Sequence, residues 1–173
     1  DHIDLVACRA RGIVVANVPA YGEATVAEYT FALLLSLSRK IHLGYYQVRE
    51  SGSFSVTNLR GFDLEGKTMG IVGTGRIGRH VVRIARGFDL KVVAHDVYPD
   101  EQFARTAGFS YRSLPELLGQ SDIVTFHVPA LPETEHLLDA NAIAQMKRGA
   151  ILINTSRGSV VDTQALVAAL HSG

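Results

Sequence analysis

The sequence predicts an α/β fold: a parallel sheet with helices wound on both faces. Three observations carry the prediction. From Thr68 onward, short apolar runs alternate with helical patterns, and that alternation folds into parallel strands joined by right-handed crossovers. The stretch Gly73-Thr-Gly-Arg-Ile-Gly78 stands between the first of these strands and the first helix. An acid, Asp96, closes the next strand. In such a setting the three glycines do different things. Gly73 makes the tight turn, Gly75 lets backbone approach a pyrophosphate, and Gly78 lets the helix pack on the strand. The opening turn of that helix, with its free N–H groups and positive dipole end, faces an anion. Asp96 can accept bonds from the 2′ and 3′ hydroxyls of a ribose and would repel a 2′-phosphate. The pattern therefore reads as a Rossmann-type doubly wound sheet that takes NAD rather than NADP. The plainer alternative is that Asp96 only starts the turn Asp96–Asp100.

Asp1 to Ala10 reads as a short helix, with Ile3, Leu5 and Val6 towards a core and Gly12 closing it. Ile13–Ala16 reads as a short buried strand, and Pro19 stiffens the loop after it. Thr25 has the N-cap position and Glu28 the capping-box spacing of a helix over Val26–Lys40. That helix is apolar almost all round, which places it between domains or subunits. Ile41–Arg60 carries Tyr45, Tyr46, Val48 and Phe54 among polar residues and reads as an arm packed on something else. Strands then follow at Thr68–Val72, Lys91–His95, Phe109–Tyr111, Asp122–His127 and Ala150–Asn154. Between and after them come helices at Arg76–Phe88, Asp100–Ala107, Ser113–Gly119, Glu135–Leu138, Asp139–Met146 and Asp162–Leu170. Ser113 has Glu116 at the capping-box spacing. The domains expected are 1–20, the tail of a flavodoxin-like substrate domain; 21–60, an interdomain helix and dimerisation arm; and 61–173, an incomplete Rossmann domain. The chain opens inside a helical pattern and has fewer strands than a doubly wound sheet usually carries. It therefore reads as a fragment of a longer protein.

Apolar residues make up 47% and charged residues 20%, with zero net charge. That balance points away from nucleic acid or an anionic membrane as the main partner. The single cysteine, Cys8, excludes an intrachain disulfide and fits a reducing compartment. The longest apolar run, Phe31–Leu37, is too short to span a membrane and is flanked by charges. The expected location is cytoplasmic.

Gly73, Asp96, Val128 and Thr155 all follow strand ends and should line one crevice. Arg157 sits on the loop after the last strand. Its guanidinium is a planar fork that can hold a carboxylate through two bonds, or it is a surface arginine covering the sheet edge. His127 could donate a proton, but the reading favoured is a satisfied, partly buried ring that orients a loop. Tyr21 can reach a cleft or simply pack at a helix end. Arg76, Arg79, Arg83 and Arg86 recur at helical spacing as a solvated stripe, with Arg76 nearest the pyrophosphate end. No histidine or cysteine cluster has metal spacing, and there is no Gly-x-Ser-x-Gly elbow.

The motifs Asn17-Val-Pro-Ala-Tyr21, Val26-Ala-Glu-Tyr29, Gly73–Gly78, Asp96-Val-Tyr-Pro99, His127-Val-Pro129, Pro132-Glu-Thr134 and Asn154-Thr-Ser-Arg-Gly158 run along the whole chain. In them the sequence resembles the D-isomer-specific 2-hydroxyacid dehydrogenases, most closely the D-lactate branch. The resemblance implies that Arg76 and Ile77 contact the pyrophosphate and Asp96 binds the adenine ribose. Val128, Pro129 and Thr134 would line the adenine and ribose side. Thr155, Ser156 and Arg157 would lie by the nicotinamide ribose. Arg157 would be the catalytic arginine, gripping a 2-oxo acid, with Tyr21 beside the substrate. A homodimer through residues 23–60 is implied. So is hydride transfer between NADH and a small 2-oxo acid, pyruvate to D-lactate. The family's catalytic Glu and His would lie downstream of Gly173, so the chain by itself is expected to be inactive. A corepressor-like protein that binds NAD without catalysis is the alternative on the same fold.

Overall fold

The computed structural model describes residues 3–172. Five parallel strands form one sheet in the order β3-β2-β1-β4-β5. They are β1 Thr68–Val72, β2 Lys91–His95, β3 Ser110–Tyr111, β4 Ile123–Phe126 and β5 Ile151–Asn154. The register runs without slippage across the centre, with Val72 opposite His95 on one side and Phe126 on the other. All carboxyl ends of the strands therefore meet at one rim. The doubly wound class expected from the alternation is what forms.

Alternation along β1 divides the core. Met69 and Ile71 face a cluster with Ala27, Phe31 and Leu34 of α2 (Glu23–Ser38) and with Val81, Val82 and Ala85 of α4 (Arg76–Gly87). Val72 faces the other side, with Leu117 and Leu118 of α6 (Leu114–Gln120) and Ala142 of α7 (Ala140–Ala144). Burial on both faces explains why the strands read as continuous apolar runs. The remaining helices are α1 Leu5–Ala10, α3 Ile41–Arg49, α5 Glu101–Ala107 and α8 Thr163–Ser172. At α6, Glu116 accepts both the backbone N–H and the hydroxyl of Ser113, the pair its capping-box spacing predicts.

Several expectations fail for identifiable reasons. Ile13–Ala16 is neither strand nor buried: Val14 is 92% exposed, and no strand of the sheet pairs with it. Ile3, Leu5 and Val6 are likewise exposed, because no apolar layer in the described chain covers α1; Asp1 and His2, where that helix was expected to begin, lie outside the described residues, as does Gly173. Thr25 does not cap α2. The helix starts three residues earlier behind Gly22, whose carbonyl accepts the first helical bond from Val26, since Glu23 and Ala24 are themselves good helix formers. One side of α2 is buried and the other, with Tyr29 at 59% exposure, is open. Glu135–Leu138 is not a helix. His136 and Leu138 donate to the Ser159 and Val160 carbonyls, and Leu138 forms a bridge with Val161. Two adjacent leucines carry no period, and here Leu137 lies in a bend after the turn at His136 while Leu138 makes the bridge. The arginines of α4 are not a uniformly solvated stripe. Arg79 pairs with Asp100 at 2.6 Å and lies over the Phe103 ring at 4.6 Å.

The segment between α2 and β1 is pinned at its base. Phe62 N–H donates to the Ser38 carbonyl at 3.1 Å. A Cβ at Gly61 would overlap that same carbonyl oxygen, so only glycine lets the chain return there. From this clamp α3 and the irregular stretch after it stand away from the sheet, with no buried residue in α3 and Phe54 97% exposed.

Candidate functional site: a cleft at the carboxyl rim of the sheet

The turn from β1 into α4 is built by its glycines. Gly73 has φ +93°, and its amide donates to the His95 carbonyl at 2.8 Å. A Cβ on Gly73 would come within 2.7 Å of the His127 carbonyl oxygen, and one on Gly78 would overlap the Gly73 carbonyl. Gly75 differs: a Cβ there meets nothing within 4 Å. Gly75 N-caps α4, and no side chain caps the helix's first amides. An uncapped N-terminus behind a bare glycine suits an anionic phosphate. The three glycines thus divide into one turn, one open approach and one close packing, as their spacing predicts.

Beside this turn lies a cleft of about 620 Å³ lined by Asn17, Tyr21, Glu23, Arg76, Ile77, His127, Thr155 and Arg157 among others. The structure therefore brings Tyr21, Arg76, Ile77, Thr155 and Arg157 to one place. Asp96 and Val128 follow the ends of β2 and β4 on the same rim, and Pro129 and Thr134 lie on the loop after β4, but none of these four lines that cleft, so the single crevice expected is not what forms. Arg76 is anchored: its guanidinium donates to the Pro19 carbonyl and lies 3.6 Å from Glu23 Oε1. Ile77 is half-buried behind it. Tyr21 is exposed, 85% accessible, at the cleft mouth.

The loop carrying Arg157 is held by a residue whose part the spacing did not disclose. Asn154 Oδ1 accepts from the Ser156 amide at 3.0 Å and its hydroxyl at 2.6 Å, while Asn154 Nδ2 donates to the Arg157 carbonyl at 2.8 Å. Arg157 itself donates to the Ser156 carbonyl at 3.0 Å. Thr155 Oγ1 lies 3.0 Å from Thr30 Oγ1, a fully buried hydroxyl on α2. Thr134 turns inward on its own loop, accepting from Leu131 N–H at 2.9 Å and donating to the Pro129 carbonyl at 2.6 Å. Val128 is half-buried, and its Cγ1 would touch a Cβ on Gly73 at 3.0 Å. Pro129 is exposed.

Asp96 accepts from both the amide and hydroxyl of Thr74, and from the Tyr98 amide at 2.9 Å. It thus starts a turn as well as ending a strand. Partial burial pulls its pKa upward, yet the bonds from Tyr98 and Thr74 together hold it below the ordinary carboxylate value. His127 is satisfied on one side only. Nε2 meets Thr125 Oγ1 at 3.0 Å, while buried Nδ1 has no partner among the described residues. Desolvation lowers its pKa to about 4. A ring kept neutral at pH 7 is a poor proton donor, but the expected satisfied, loop-orienting ring is not what forms, since its one bond goes to Thr125 on β4 and Nδ1 is left without a partner among the described residues. Among the described residues no group of His, Cys, Asp or Glu could hold a metal, and no helix is long and apolar enough to cross a membrane.

A parallel sheet with a glycine turn, an uncapped helix start and an acid on the next strand defines a dinucleotide-binding α/β domain. Residues 31–173 match the model for the D-isomer specific 2-hydroxyacid dehydrogenase, NAD binding domain. The chain belongs to that family, whose matched domain is an NAD-binding one. It is 47% identical over 174 residues to a Schizosaccharomyces pombe protein called 2-hydroxyacid dehydrogenase homolog 1, covering 100% of this chain and 52% of that one. It is similar to the apo-structure of D-lactate dehydrogenase from Escherichia coli, with TM-score 0.92, 41% identity, and coverage of 99% of this chain and 54% of that one. It also resembles a D-lactate dehydrogenase from Aquifex aeolicus complexed with NAD and lactic acid, with TM-score 0.88, 40% identity, and coverage of 100% and 52%. The chain spans about half the length of the curated relatives it matches.

Proposed function

We propose that the protein carrying this chain is an NAD-dependent reductase of a small 2-oxo acid, pyruvate to D-lactate being the reaction favoured. The observation that carries the proposal is the cleft itself, where Arg157 and Tyr21 face the phosphate-binding turn across one space. NAD bound there supplies the hydride acceptor or donor. In this reading Gly73, Gly75, Gly78, Arg76 and Ile77 hold the pyrophosphate, and Asp96 takes a ribose hydroxyl. Val128, Pro129 and Thr134 border the adenosine side, and Thr155 and Ser156 the nicotinamide side. Arg157 binds the substrate carboxylate and polarises its carbonyl, a fixed cation where negative charge develops. Asn154 keeps that cation in place through both flanks of the loop.

The chain divides in this reading at about residues 20 and 60, and the exposed face of α2 with the arm to residue 60 forms a homodimer contact. That face carries Tyr29 and Leu33, and the arm Tyr45 and Tyr46, all exposed. D-lactate dehydrogenase is the name of the two solved neighbours above, at 41% and 40% identity, and their likeness supports the substrate. The test is a panel of 2-oxo acids with NADH on the intact protein. Pyruvate is expected to turn over fastest, and Arg157→Ala to lower kcat/KM by about 10³-fold or more, the scale of losing an oriented charge at the reacting carbonyl. NADH binding without turnover of any acid would instead favour the non-catalytic alternative.

A further inference from the structure

Asp96 leaves its strand with three hydrogen bonds already on its carboxylate. Oδ2 accepts the Thr74 amide at 2.6 Å and the Thr74 hydroxyl at 2.8 Å, and Oδ1 accepts the Tyr98 amide at 2.9 Å. An ionised carboxylate only accepts, so the Thr74 hydroxyl proton is committed to it. Thr74 Oγ1 also lies 2.8 Å from Tyr111 Oη. With its own proton spent, Thr74 can only accept there, and the phenol donates. Tyr111 Oη accepts in turn from the Asp100 amide at 3.1 Å. The polarity of the whole run is thus forced, every proton pointing towards Asp96, and each bond strengthens the next. Thr74 is 4% exposed, so water competes little. The far end is fixed too, since Asp100 caps α5 through the Phe103 amide and pairs with Arg79.

We propose that Thr74 and Tyr111 are positioning residues that lock the Asp96 carboxylate against rotation and so set the preference for NAD over NADP. The proposal rests on the reading of Asp96 as the ribose acid. A carboxylate has about four acceptor sites. Oδ2 has used both of its own and Oδ1 keeps one, so the locked group receives a single ribose hydroxyl. It also cannot turn its charge away from a 2′-phosphate. Without the Thr74 hydroxyl the Thr74 and Tyr98 amides would still hold one oxygen each, but the group would be held less firmly against turning away from the phosphate. Discrimination then rests on the acid and is sharpened by two uncharged hydroxyls behind it.

The test measures NADH and NADPH dissociation constants on the intact protein by quenching of nicotinamide fluorescence. Thr74→Val/Tyr111→Phe removes both hydroxyls together and leaves neither one buried without a partner. Its preference for NADH is expected to fall about tenfold, the scale of one lost bond to a charged group. Thr74→Ser, which keeps the hydroxyl, is expected to hold the preference within about twofold. Tyr111→Phe alone keeps the ring contact with Phe109 at 5.2 Å; it serves if the double variant does not fold, and a fall of about threefold is expected. Asp96→Ala separates the two levels. If it abolishes the preference while the hydroxyl variants keep the wild-type ratio, the lock is refuted and the ribose acid stands. If Asp96→Ala also leaves the ratio unchanged, both fail.

Discussion

Two glycines of the same turn should fail in different ways when each becomes alanine. At Gly78 an added Cβ overlaps the Gly73 carbonyl oxygen, lies 3.0 Å from its carbon and 3.7 Å from Ile71 Cγ2. The nearest atoms are backbone, so the start of α4 must move off β1. Overpacking of this kind costs about 1–3 kcal/mol. A Tm falls about 2–4 °C per kcal/mol in a domain of this size, so Gly78→Ala should lower Tm by about 2–12 °C. At Gly75 the backbone sits at φ −65° and ψ −160°, and a Cβ meets nothing within 4 Å. Gly75→Ala should therefore leave Tm within about 2 °C, as strain-free surface changes do. It should still weaken NADH binding by about 10–100-fold, because the methyl stands where a pyrophosphate must approach the amides. Calorimetry gives Tm and fluorescence titration gives the dissociation constant. If Gly75→Ala binds NADH like the parent, the pyrophosphate does not lie over this turn. If Gly78→Ala is as stable as the parent, the close packing of α4 on the turn is not what the glycine provides.

His127 should make stability depend on pH. Its folded pKa is about 4, against an ordinary 6.5. Between those values the unfolded chain binds the proton and the folded one does not, so stability falls as pH falls. The loss should reach about 3 kcal/mol by pH 4. Denaturant unfolding at pH 7 and pH 4.5 should show most of it, and His127→Asn should remove it; an undiminished slope in that variant would refute the assignment. The lowered carboxylates Asp96, Asp100, Glu116 and Asp122 act in the same direction only below the ordinary carboxylate range. Asn154→Ala deletes the side chain that holds both flanks of the Arg157 loop. It should lower kcat/KM at least about tenfold while NADH binding changes little, as steady-state kinetics and titration would show.

The sheet was legible because its strands are buried on both faces. A continuous apolar run such as Thr68–Val72 has no competing reading once a glycine turn and a helical period follow it. The capping pair Ser113 and Glu116 was legible because its reason is local. Ile13–Ala16 was not: four apolar residues look like a buried strand whether or not a partner lies beside them, and here none does. The site divides similarly. Gly73, Gly75 and Gly78 follow from turn geometry, and Asp96 from its place in the alternation. The tie from Thr30 to Thr155 crosses 125 positions and joins a helix to a loop. No local pattern announces such a pair, and the same holds for Thr74 and Tyr111.

The clamp at Ser38 and Gly61 makes residues 39–60 a detour that leaves and rejoins the core at one point. Length there is cheap, since the entropy of closing a loop grows only with the logarithm of its size. Its ends are set by a carbonyl in α2 and a glycine, neither of which senses what lies between. The excursion can therefore be lengthened, trimmed or exchanged without shifting a single strand. Variation in this chain's contacts with other surfaces should accumulate there, decoupled from the chemistry at the opposite rim.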